Sequence, residues 1–190
     1  ADPEPTDLSN VYASWWTEEY YSEEWVLHNY TSPEQSSEEA DVEAYLAAVE
    51  KNLSANICPY IEANPETQFV IFFPPYSILF WNDVSKENLL DVTIEEYRYI
   101  TERLNAYENV EVYFFPDQEE IICDLNNYAD YTHYHPRYNR YMTECFADGS
   151  CLVTKEDSQG TGKGKTIDEY LKHMREIAEG FDYEELLSRK

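Results

Sequence analysis

Two short runs of apolar residues, each closed by proline, limit what this chain can fold into more than any other feature. Gln68-Phe69-Val70-Ile71-Phe72-Phe73 stops at Pro74-Pro75, and Val110-Glu111-Val112-Tyr113-Phe114-Phe115 stops at Pro116. Proline has no N–H to give to a ladder and its φ is fixed, so each run ends there. A short run apolar at nearly every position reads as a strand buried on both faces, as in a parallel sheet. Between the runs, Tyr97, Ile100, Leu104 and Tyr107 recur at steps of three and four, predicting a helix over about 93–107 with Thr93 and Glu96 as a capping box. Strand, helix and strand at this spacing form a βαβ unit, whose strands should run parallel and side by side.

The flanking sequence fits around that unit. Val42, Tyr45, Leu46, Val49, Leu53, Ile57, Tyr60 and Ile61 predict one amphipathic helix over about 40–63, stopped by Asn64-Pro65. Residues 76–92, with Trp81-Asn82-Asp83, read as a loop. After the second strand, Ile121–Leu125 leads into a Tyr-rich loop reaching His135, then a helix over about 136–146 and a short strand at 152–154. A glycine-rich stretch, 158–165, precedes a last helix from Ile167 to about Glu179 with Ile167, Tyr170, Leu171, Met174, Ile177 and Ala178 on one face. That stretch ends in Gly-Lys-Thr like a phosphate-binding loop, but Gln159 stands where its first glycine belongs, so a linker is the expectation. Residues 1–40 are acidic and aromatic, with Trp15, Trp16 and Trp25, and are expected to pack on a main domain spanning 41–187.

The formal charge of −26 repels phosphate backbones and anionic membrane surfaces, so nucleic acid is excluded as a partner. No run of about 18 apolar residues is present to span a membrane. The 18 tyrosines either fill the rim of the core or offer a surface on which a polar polymer such as a glycan stacks. Cys58, Cys123, Cys145 and Cys151 include no Cys-x-x-Cys pair, which argues against a zinc ribbon. Cys145 and Cys151, separated by Phe-Ala-Asp-Gly-Ser, either close a small disulfide loop in an oxidising compartment or remain buried thiols. No cofactor is called for.

The densest polar cluster runs from Asp124 to His135, after the second strand, at the end where α/β sheets place their sites. Within it, Asp130 and His133 are separated by two residues. A carboxylate that close can accept from Nδ1–H, fixing the tautomer and presenting Nε2 as a base. His135 is the alternative base. Asp124, Asp130, His133 and His135 are metal-ligand types, but their compact spacing matches no zinc pattern.

Phe-Phe-Pro-Pro-Tyr-Ser-Ile-Leu (72–79), Asp-Leu-Asn-Asn-Tyr-Ala-Asp-Tyr-Thr-His-Tyr (124–134) and Phe-Asp-Tyr-Glu-Glu-Leu-Leu (181–187) resemble the C-terminal portion of the SGNH (GDSL-like) hydrolase superfamily, in particular bacterial cell-envelope members that are usually membrane-anchored at the N-terminus. The resemblance implies an α/β three-layer sandwich with a mainly parallel sheet, flavodoxin-like and incomplete at its N-terminus. It implies Asp130 as the orienter of His133, and His133 as the base that activates a serine against an ester, the substrate being a polysaccharide or other acyl ester outside the cytoplasm. Any membrane contact would be made through a segment outside this chain. The sequence departs from the family at the nucleophile: the first glycine is Gly149, so no Gly-x-Ser turn precedes the Asp–His loop, and Asn82-Asp83 follows the Pro-Pro strand in the wrong order for the family's asparagine block. The serine is therefore expected from sequence outside this chain, the exposed sheet edge pairing with that missing half or with a second copy. The alternative is a non-catalytic glycan- or protein-binding domain on the same scaffold.

Overall fold

The computed structural model describes residues 17–155 and 164–190. Trp15 and Trp16, and Gln159 to Lys163 of the glycine-rich stretch, lie outside the described residues. The chain is mixed α/β. After a 3-10 turn, Glu18–Tyr20, come α1 (Glu23–Asn29), α2 (Val42–Asn52), α3 (Cys58–Ala63), β1 (Phe69–Phe73), α4 (Ile78–Lys86), α5 (Leu90–Asn105) and β2 (Val110–Phe114). Then follow α6 (Glu119–Ile122), α7 (Arg137–Asp148), β3 (Val153–Thr154), β4 (Lys165–Thr166), α8 (Ile167–Gly180) and α9 (Tyr183–Leu187). The strands form two parallel pairs, β1 with β2 and β3 with β4.

The βαβ unit is present with its strands parallel and side by side, as expected: Phe69 lies opposite Val110 and Phe73 opposite Phe114. Alternate residues of β2 feed two separate apolar clusters. Val112 and Phe114 join Leu104 of α5 and Tyr170 and Met174 of α8. Tyr113, with Phe115 just beyond the strand, joins Met142 and Cys145 of α7 and Cys151. Burial on both faces therefore holds for β2 but not for β1, where Val70 and Phe72 remain 41% and 40% exposed. Among the described residues, no strand pairs with the outer edge of β1 and nothing covers those two side chains fully.

Other expectations need correction. Residues 76–92 are mostly helical: Ile78, Leu79, Trp81 and Val84 face the core from α4, and the polar Asn82-Asp83 pair hid that stripe. Helix α5 starts at Leu90, so Thr93 is interior and caps nothing; its N–H already donates to the Leu89 carbonyl at 2.8 Å. The predicted helix over 40–63 is interrupted by a π turn at Leu53–Ile57. Pro59 explains it, because its ring displaces the carbonyl four residues back and it has no N–H to give. The wider turn changes the phase, so Cys58 and Ile61 point inward while Ile57 and Tyr60 are exposed. Lys165 belongs to β4 rather than to a linker. Helix α8 buries the six residues expected of it, behind a capping box of Thr166 and Glu169. At the N-terminus, Val26, Leu27 and Tyr30 join the main core.

Candidate active site

The Asp–His loop is tied to the segment just past the carboxyl end of β1. Asp124 caps a 3-10 turn, Leu125–Asn127, by accepting from the Asn126 N–H at 3.0 Å. The chain then doubles back: the Ala129 N–H donates to the His133 carbonyl at 2.9 Å, the His135 N–H donates to the Asn127 carbonyl at 2.6 Å, and Tyr128 bridges Tyr134. The buried Tyr128 hydroxyl donates to the Pro75 carbonyl at 2.6 Å, just past β1. Ser77 grips the loop tip from the same segment, its hydroxyl donating to the Tyr131 carbonyl at 2.6 Å. A loop of polar residues is thereby held where ligands bind in parallel sheets.

At the turn of that loop, Asp130 organises everything within reach. Its Oδ1 accepts from the backbone N–H groups of Thr132 and His133, both at 2.8 Å, and from the Thr132 hydroxyl at 3.1 Å. Its Oδ2 lies 2.7 Å from His133 Nδ1. Burial pushes the Asp130 carboxyl up, but the two backbone donors and the imidazole outweigh it and hold the group below the ordinary carboxylate range. With Nδ1 donating to a carboxylate, the neutral imidazole carries its lone pair on Nε2. The His133 side chain is 67% exposed.

His135 serves other ends. Its Nδ1 accepts from the Arg137 N–H at 3.1 Å at the start of α7, its Nε2 lies 3.3 Å from Glu18, and its ring packs on Tyr21 at 4.4 Å. Asn82 and Asp83 also face away from an oxyanion role. Asn82 donates to the Tyr30 hydroxyl at 2.6 Å and to Ser32 at 2.8 Å, and Tyr30 donates to Asp83, so this pair fastens the N-terminal segment to α4. Ser77 is fully buried with its proton engaged by Tyr131, and Thr132 donates to Asp130 on the Nδ1 side of the ring. Cys123 is no substitute nucleophile, because burial first and Glu119 second push its thiol up to about 12. Among the described residues, no group of three or more His, Cys, Asp or Glu side chains is arranged to hold a metal ion.

No protein-family model, curated protein or solved structure matches the chain.

A second Asp–His pair escaped the sequence. Asp117, directly after Pro116 at the end of β2, has a side chain only 1% exposed. Its Oδ2 accepts from Lys165 Nζ at 3.0 Å and lies 3.3 Å from His173 Nδ1, while its Oδ1 accepts from Gln118 at 2.9 Å. The three side chains border a cleft of about 670 Å³ that also receives Arg137, Tyr138 and Tyr141. The signal available was Asp117 itself, the first polar residue past a buried parallel strand. Its partners arrive from β4 and α8, 48 and 56 residues on, and no spacing rule reaches that far.

Proposed function

We propose that this chain is the base-bearing part of an extracytoplasmic serine esterase or O-acyltransferase that acts on a cell-envelope glycan, on a flavodoxin-like three-layer scaffold of the SGNH type. The carrying observation is the 2.7 Å contact between His133 Nδ1 and Asp130 at the carboxyl ends of a parallel strand pair. The division of roles follows from chemistry: Asp130 fixes the tautomer and offsets the charge of the imidazolium, and His133 Nε2 takes a hydroxyl proton and later returns it to the leaving group. The attacking serine and its oxyanion donors come from outside this chain. The exposed Val70 and Phe72 and the open outer edge of β1 support a sheet that continues into that missing half or into a second copy. The two apolar clusters on opposite faces of β2 support the layered scaffold. A membrane anchor, on this reading, belongs to sequence outside the chain.

The test is p-nitrophenyl acetate hydrolysis by the full-length product of the gene that carries this sequence. His133→Ala should lower kcat/KM by roughly 10²–10⁴-fold, the usual contribution of a positioned base, while His135→Ala should leave it within a few-fold. Equal rates for wild type and His133→Ala would remove His133 from catalysis.

The commitment of Ser77 to Tyr131 favours the second reading, a non-catalytic domain that binds glycan or protein through its aromatic surface. Tyr131 and Trp25 are exposed near the loop, at 41% and 37%. On that reading the gene lacks an upstream serine turn, and Tyr131→Ala weakens polymer binding in a sedimentation assay while His133→Ala does not.

A further inference from the structure

Two of the four cysteines are brought together. Cys145 sits in the last turns of α7 and Cys151 just beyond it, and their sulfurs are 3.7 Å apart, both side chains buried. The backbone puts them there without help from sulfur. Helix α7 ends at Gly149, which takes the left-handed conformation at φ 77° and donates its N–H to the Cys145 carbonyl at 2.8 Å. The chain therefore turns back over Cys145. Cys151 is then pinned to the central strand, its carbonyl accepting from the Phe114 N–H at 3.0 Å. Tyr113, Phe115 and Met142 close around the pair. Cys58 and Cys123 have different surroundings, Cys58 beside Tyr107 and Cys123 beside Glu119.

We infer that Cys145 and Cys151 are a disulfide site, joined when the chain folds in an oxidising environment. Closing the sulfurs from 3.7 Å to the roughly 2.05 Å of a bond is a movement of side chains, since the turn already returns the backbone. Glutathione disulfide serves as the oxidant. One cysteine thiolate attacks it, forming a mixed disulfide and expelling one glutathione thiolate. The second cysteine thiolate attacks the protein sulfur of that mixed disulfide and expels the other. The two cysteines together lose two protons and two electrons, and the oxidant's S–S bond becomes two thiols. Burial, first among the causes, pushes the Cys151 thiol up to about 12, so thiolate is scarce once the fold is complete. The bond therefore forms during folding, and the same burial afterwards keeps reductants out. The inference does not depend on the esterase reading.

Peptide mapping tests it on the full chain. The protein is unfolded and reduced, refolded in glutathione disulfide and glutathione, alkylated in denaturant and digested with trypsin. Tyr141–Lys155 contains both cysteines and no internal Lys or Arg. In most molecules this peptide should resist alkylation and weigh two hydrogens less than the dithiol. A further cut at Asp148 should leave its halves joined until a reductant is added, while Cys58 and Cys123 carry the alkyl label. Full alkylation of Cys145 and Cys151 after oxidative refolding, or bridges to Cys58 or Cys123 instead, overturns the inference.

Discussion

Asp130 shows how one side chain can create a site within a few residues. It is both the cap of its own turn and the partner of the imidazole, so the hydrogen bonds that shape the loop also aim His133. Its carboxyl lies below the ordinary range, which is near 3.9 in an unfolded chain. A group depressed in the folded state contributes stability that is complete above the unfolded value and is lost as pH falls through the lower folded one. Urea unfolding should therefore show Asp130→Asn less stable than wild type by about 1–2 kcal/mol at pH 7. The difference should shrink as pH falls below the unfolded value, as the wild-type carboxylate takes up its proton. A difference constant with pH would mean that the charge of Asp130 does nothing for the fold. The two described glycines with positive φ offer a second residue-scale contrast. At Gly149 an added Cβ meets nothing, whereas at Gly164 it collides with the backbone carbonyl of Leu152. Gly149→Ala should cost about 1–2 kcal/mol for the left-handed conformation alone, and Gly164→Ala measurably more, as read by thermal unfolding.

At the scale of elements, periodicity and punctuation were legible where local chemistry governs. The prolines that end β1 and β2 mark strand boundaries because no ladder survives them, and the stripe of α8 is read from spacing because one helix face meets the core. Met174, fully buried on that stripe, should cost about 2–5 kcal/mol as Met174→Ala, while the exposed neighbour Lys172→Ala should stay within about 0.5 kcal/mol. Helix α4 was hidden because Asn82 and Asp83 look like loop residues until Tyr30 and Ser32, some fifty positions away, supply their partners. The π turn before Pro59 shifted the phase of the first helix, so a straight 3.6 repeat assigned Ile57 and Tyr60 to a face they do not share with the core. Of the candidate site, the Asp130–His133 pair was legible since its members are three residues apart. The Asp117 cluster was not, because three distant elements build it.

For the molecule as a whole, the charge of −26 works against compactness. Raising NaCl from about 10 mM to about 0.5 M, which shortens the Debye length from roughly 30 Å to a few Å, should raise Tm by several degrees. A Tm that falls instead would mean that ion pairs such as Lys165–Asp117 outweigh the repulsion. The hydrogen bonds from Tyr128 to Pro75 and from Ser77 to Tyr131 hold the imidazole's loop just past one end of a short parallel sheet, and the proposed function rests on that imidazole being held by Asp130 in one tautomer. The most direct measurement is the ¹⁵N–¹H long-range correlation spectrum of the His133 ring, followed across a pH series. A protonated Nδ1 and an unprotonated, pyridine-like Nε2, redistributed in Asp130→Asn, is the predicted result. A proton resident on Nε2 in the wild type, unaffected by Asp130→Asn, would contradict it.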